Sequence, residues 1–138
     1  MCLLDEVVEW SVERICCRSE THRRADHALR AHGRLGIACG IEYAAQAMAV
    51  HGALRAARLS QPSRPGVLAS VRGLTMTADR LDDIAGALWA RATLVTGDHT
   101  MVLYEISLAD SAQVLLSGRA TIAFEATARE RTDMRAVT

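Results

Sequence analysis

Two side chains in this sequence have the types and spacing to move protons, and a third could position them. His27 stands fifteen positions before Glu42, and Gln46 follows Glu42 by four. An imidazole near its ordinary pKa takes or gives a proton at neutral pH. Residues four apart share one helix face, so Glu42 and Gln46 are neighbours if their segment is helical. Near a helix N-terminus the macrodipole favours a carboxylate, whereas burial disfavours its charged form. On the residues alone, Glu42 either acts as a general acid or base or caps its own helix from the first turn. Of the other histidines, His22 and His32 read as exposed loop residues and His99 as a solvated turn residue. His51 reads as a core histidine.

The element that must carry this chemistry is the clearest helix in the chain. Gly40 to about Ala57 runs G-I-E-Y-A-A-Q-A-M-A-V-H-G-A-L-R-A-A, rich in alanine and apolar nearly all round. Such a pattern predicts a helix buried on most sides. Polar groups inside it cost free energy unless they are paired or used. Residues 7–17 alternate, with Val8, Trp10 and Val12 on one side, and predict a half-buried strand. Residues 18–36 predict a loop with a helical turn. After the connector Gln61-Pro62-Ser63-Arg64-Pro65-Gly66 come four strand-like runs: Val67 to Met76, Ala87 to Val95, Met101 to Leu108, and Gln113 to Glu125. Thr96 to Thr100 and Ala109 to Ser111 read as hairpin turns. Ala78 to Ile84 reads as a short helix or loop, and the polar tail from Ala128 as frayed. The order is strand, loop, helix, then strands, an α+β architecture in one domain spanning 1–138. A sheet wrapped on one helix leaves part of that helix uncovered, and a dimer is the natural remedy.

Composition narrows the chemistry. Half of the 138 residues are apolar, and sixteen basic residues balance sixteen acidic ones. All the basic residues are arginines, so Schiff-base lysine chemistry and a P-loop lysine are excluded. Zero net charge and 4% aromatics argue against a nucleic-acid partner. The four cysteines form no C-x-x-C pair, which points to free thiols in a reducing compartment and to no metal site. No secretory signal or membrane-spanning run is apparent, so the expected location is cytoplasmic.

The stretch H-A-L-R-A-H-G-R-L-G-I-A-C-G-I-E-Y-A-A-Q, His27 to Gln46, resembles the active-site segment of bacterial 3-hydroxyacyl-acyl-carrier-protein dehydratases of the hotdog fold. That family places a histidine, a glycine-containing loop and then a helix bearing E-x-x-x-Q, which Glu42 to Gln46 matches. G-I-E-Y-A-A-Q-A-M-A-V-H-G-A-L is most similar to a divergent branch found in aryl-polyene biosynthesis clusters. The chain departs from the common pattern in two ways. Its loop lacks the prolines that usually follow the histidine, and its His-to-Glu spacing is one residue longer.

The resemblance implies one long helix wrapped by an antiparallel sheet of five or six strands, in a homodimer, a heterodimer with another hotdog subunit, or a larger assembly. It implies that His27 removes the C2 proton of a 3-hydroxyacyl thioester while Glu42 of the partner chain protonates the leaving hydroxyl. The product is a trans-2-enoyl thioester in fatty acid or aryl polyene/polyketide-type biosynthesis. Gly36 and Gly40 would let backbone N–H groups approach the thioester carbonyl, and Gln46 would hold Glu42 or a water. No cofactor is implied, because the substrate arrives on the phosphopantetheine of an acyl carrier protein or on coenzyme A. Arg23, Arg24 and Arg30 lie in segment 18–34, where five arginines face two acids, and would meet an acidic carrier protein. Met48, Leu54, Trp89 and Tyr104 line an acyl tunnel or are ordinary core. Two alternatives remain: a hotdog acyl thioesterase, and a non-catalytic hotdog subunit that stabilises an active relative.

Overall fold

The computed structural model describes residues 2–125. Two strands, β1 (Glu6–Trp10) and β2 (Arg14–Ser19), precede the helix α1 (Gly40–Arg58), and four follow it: β3 (Gly66–Met76), β4 (Leu88–Gly97), β5 (Met101–Ala109) and β6 (Val114–Phe124). They form one six-stranded sheet in the order β1-β2-β4-β5-β6-β3, with every pairing antiparallel. The expected single strand over 7–17 is instead a hairpin. Ser11 N–H donates to the Arg14 carbonyl, and the Ser11 hydroxyl accepts the Glu13 N–H, so the chain reverses at Ser11–Glu13. That turn holds no glycine or proline, and the apolar alternation runs through it unbroken. The alternation also misplaces Val8, which is exposed on an edge strand. The 18–36 loop contains a short 3₁₀ turn at Thr21–Arg23, and a second, Ile37–Cys39, leads directly into α1.

The core lies between α1 and the sheet. Tyr43, Ala44, Ala47, Met48 and His51 face inward from the helix. They meet Ile15, Cys17, Leu88, Ala90, Ile106 and Leu108, all buried. Burying each large aliphatic side chain contributes on the order of 1.5–3 kcal/mol, which is what holds an alanine-rich helix to a sheet. The helix is covered on most sides, as its composition suggested, but not on all. Glu42, Ala49, Gly52 and Ala53 are exposed along one stripe. Cys16 and Cys17 are both buried in β2, and all four cysteines are free thiols. The segment after Ala128 lies outside the described residues.

Both helix ends are set by local chemistry. A Cβ on Gly40 would lie 2.8 Å from Leu108 Cδ2, so glycine lets the helix start press against β5. At the other end Ser60 takes a left-handed conformation, φ 53°. The Gln61 N–H then bonds the Ala56 carbonyl and the Ser60 N–H bonds the Ala57 carbonyl. This double wrap satisfies the last carbonyls, and Pro62 follows where a helix can no longer continue. Aspartates close two hairpins. Asp98 Oδ1 accepts the Thr100 and Met101 N–H groups and the Thr100 hydroxyl, and Asp110 Oδ1 accepts the Ala112 and Gln113 N–H groups.

Candidate active site

The loop before α1 folds back so that His27 docks on the first turn of the helix. His27 is buried, and its Nε2 lies 3.0 Å from the Tyr43 hydroxyl, which is itself fully buried. The rings are 6.2 Å apart at 25°, close to stacked. The Leu29 N–H donates to His27 Nδ1 at 3.1 Å. Beyond Tyr43 the network continues to Thr21 Oγ1 at 2.8 Å, and Thr21 Oγ1 donates to the Leu3 carbonyl at 2.8 Å. Ser19 Oγ donates to the same carbonyl. Burial holds the His27 pKa below its ordinary value, with the Arg30 and Arg24 guanidiniums adding to the effect. The resting imidazole is therefore neutral near pH 7, the form a general base requires.

Glu42 sits one residue before Tyr43 in the first turn of α1, exposed on the uncovered stripe rather than buried. Its carboxylate thus lies outside this chain's own core. Gln46 faces the N-terminal segment, and its Oε1 accepts the Leu3 N–H at 2.7 Å. Beside the helix, an open groove of about 310 Å³ runs between α1 and the ends of β3 and β6, lined by Ala45, Met48, Ala49, Ala53, Leu68 and Phe124. Met48 is one of the residues considered for an acyl tunnel; Tyr104 instead bonds His51 in the core.

The two glycines have different surroundings. Gly36 is exposed, and nothing would meet a Cβ there. It pairs with Arg80 in an isolated bridge whose bonds run from Ile37 N–H to the Asp79 carbonyl and from Leu81 N–H to the Leu35 carbonyl. The Gly36 amide therefore points away from that segment. The Gly40 N–H already bonds the Ile37 carbonyl, and the residue serves close packing.

The arginines divide in the same way. Arg30 turns inward and donates to the carbonyls of Arg24, Gly33 and His22, with its guanidinium 3.8 Å from Asp82. It braces the loop. Arg24 pairs with Asp26 at 3.2 Å, and Arg23 is exposed at the end of the 3₁₀ turn. Asp82 is the second brace. Its carboxylate accepts the Leu35 N–H at 2.9 Å and pairs with Arg80, and these contacts hold its pKa well below the usual carboxylate range.

Sequence reasoning missed Tyr43, Thr21, Leu3 and Asp82. Tyr43 reads as one more apolar position of a buried helix, and only its hydroxyl, one residue after Glu42, gave a signal. His22 is corrected: it is fully buried, with Nε2 bonded to the Ile84 carbonyl at 3.0 Å and Nδ1 buried without a partner. Burial lowers its pKa. His51 is a core histidine, bonded to the Ser11 carbonyl and the Tyr104 hydroxyl.

A single long helix clasped by a six-stranded antiparallel sheet defines the hotdog fold. Comparison with solved structures agrees. The dehydratase heterocomplex ApeI:P from Xenorhabdus doucetiae superposes with a TM-score of 0.79 at 20% identity, covering 96% of this chain and 88% of that one. A thioesterase from Haemophilus influenzae gives a TM-score of 0.62 at 15% identity, covering 87% and 77%. A hypothetical thioesterase with coenzyme A from Streptococcus pneumoniae gives 0.63 at 10% identity, covering 88% and 86%. No curated protein matches the sequence. The family model for ApeP dehydratase matches residues 1–132, and the chain belongs to this ApeP-like family. Among the described residues, no helix is long and apolar enough to cross a membrane.

Proposed function

We propose that the chain dehydrates a 3-hydroxyacyl thioester to the trans-2-enoyl thioester. The observation that supports this reading is the docking of His27 on Tyr43, in the first turn of the helix that bears Glu42. Neutral His27 takes the C2 proton. The Gly36 N–H polarises the thioester carbonyl, so that negative charge on its oxygen is met as it forms. A carboxyl across the subunit interface, Glu42 of a second copy or its counterpart in another hotdog subunit, protonates the C3 hydroxyl, which leaves as water. Glu42 fits that arrangement because it is exposed in the single chain and lies on the uncovered helix stripe.

The substrate would arrive on the phosphopantetheine of an acyl carrier protein or on coenzyme A, in fatty acid or aryl polyene synthesis in the bacterial cytoplasm, with no cofactor or metal needed. Of the arginines considered for the carrier protein, Arg23 is exposed and would meet it, Arg24 is shared with Asp26, and Arg30 would act indirectly by bracing the loop. The heterocomplex among the similar structures favours assembly with a second hotdog subunit.

The direct test is incubation with a 3-hydroxyacyl carrier protein, alone and with a co-expressed hotdog partner. Mass spectrometry of the carrier-bound product should show loss of water. Release of free acid would favour the thioesterase reading, which the thioesterases among the similar structures support. Unchanged turnover by a His27→Ala complex would make this chain a non-catalytic subunit.

A further inference from the structure

The Leu29 N–H donates to His27 Nδ1, so Nδ1 is the unprotonated nitrogen and Nε2 carries the ring hydrogen. That Nε2–H donates to the Tyr43 oxygen at 3.0 Å. The Tyr43 hydroxyl proton then goes to Thr21 Oγ1, whose own proton meets the Leu3 carbonyl or Ser19 Oγ.

We propose that Tyr43, held in turn by Thr21 and the Leu3 carbonyl, is the positioning residue for His27: it fixes the imidazole as the Nε2–H tautomer and leaves Nδ1 as the nitrogen that takes the substrate proton. The inference rests on the reading of His27 as the base. When the C2 proton moves to Nδ1, the ring becomes a cation, keeps its Nε2–H on Tyr43 and gives up the 3.1 Å contact from Leu29. The Tyr43 oxygen, already aimed at the ring, accepts from the cation without moving. The geometry also explains why a tyrosine follows the glutamate in an otherwise apolar helix. Its ring fills the core, and its hydroxyl reaches the loop that carries the histidine.

The test uses the full chain in its active assembly. Nitrogen-15 spectra of the imidazoles report each tautomer directly, whether or not the assembly turns over. Native His27 should appear as the Nε2–H form alone. In Tyr43→Phe, which keeps the ring and removes the hydroxyl, it should become a mixture of tautomers. In the same variant kcat should fall by about tenfold or more with KM nearly unchanged, because a misassigned tautomer disables the base without emptying the site. Thr21→Val, one link further out, should show the same pattern more weakly, and circular dichroism confirms that both variants fold. An Nδ1–H tautomer in the native chain overturns the inference. So does a Tyr43→Phe variant that keeps one tautomer and full kcat, since the Leu29 amide would then suffice. Unchanged turnover by His27→Ala sinks the dehydratase reading itself, an outcome the spectra distinguish.

Discussion

Gln46 Oε1 accepts the Leu3 N–H at 2.7 Å, while the other end of the Leu3 residue, its carbonyl, is held by Thr21 and Ser19. One residue near the start of the chain is thus pinned at both its polar groups, on one side by the helix and on the other by the loop that leads to His27. The E-x-x-x-Q pattern therefore has two separate duties. Its glutamate faces outward, and its glutamine ties down residues forty-three positions away.

Replacing Gln46 by leucine should leave the Leu3 N–H without its acceptor. A lost hydrogen bond of this kind costs about 1–3 kcal/mol when the remaining group stays buried. The expected result is a lower Tm, together with faster amide exchange at Leu3. An unchanged exchange rate at Leu3 would show that the contact contributes nothing.

Gly40→Ala should destabilise the chain, because the new methyl would meet Leu108 Cδ2 at 2.8 Å inside a packed core. Overpacking costs about 1–3 kcal/mol, and the obstacle is the tip of a side chain, so the lower end is expected. A compensating Leu108→Val should recover part of the loss in the double variant. Denaturant unfolding of the four proteins measures both terms, and additive losses would argue against direct contact.

Glu42→Gln should behave differently from either. Glu42 is exposed and belongs to no packed cluster, so Tm should shift by less than about 0.5 kcal/mol equivalent. Dehydration should fall by about a hundredfold or more, since the amide cannot deliver a proton. A large drop in Tm with intact turnover would reverse the assignment of its role.

Stability should depend on pH through three histidines. Burial lowers the pKa of His22, His27 and His51 below the ordinary 6.5. The unfolded chain binds their protons from about pH 6.5 downward, whereas the folded chain resists, so stability is fully present above that pH and declines as pH falls below it. Each pKa unit of separation is worth about 1.4 kcal/mol per group. Asp98 does not interfere in this window. Its pKa, held down to about 2 by its Thr100 and Met101 contacts, makes its contribution complete above 3.8. Tm measured from pH 7.5 to 5 should fall steadily; a flat profile would mean these histidines stay accessible to protons when folded.

The sequence made some of these features plain and hid others, for identifiable reasons. The helix was legible because alanine and apolar residues dominate it as far as Leu59 and proline stops the pattern at Pro62. The late strands were legible because Asp98 and Asp110 mark their turns. The hairpin at Ser11–Glu13 was hidden because a serine there does what glycine usually does. The burial of His22 was hidden because it depends on the carbonyl of Ile84, sixty-two positions away. The role of Tyr43 was hidden because a helix-core pattern records where a ring sits and is blind to what its hydroxyl touches. The uncovered stripe of α1 is the reverse case. Composition suggested burial on most sides, and the exposed stripe is the side a single chain leaves open.

Among the described residues, strand β3 pairs only with β6, so its other edge offers an open row of backbone N–H and C=O groups along Gly66–Met76. Val67, Leu68, Leu74 and Met76 on that strand are exposed, and no lysine guards it. An edge of this length and character recruits other strands indiscriminately unless it is capped. Yield in the cell is thereby coupled to stoichiometry. Whatever covers β3 would therefore act on yield as well as on activity, because chain left with this edge open is the chain most exposed to misassembly.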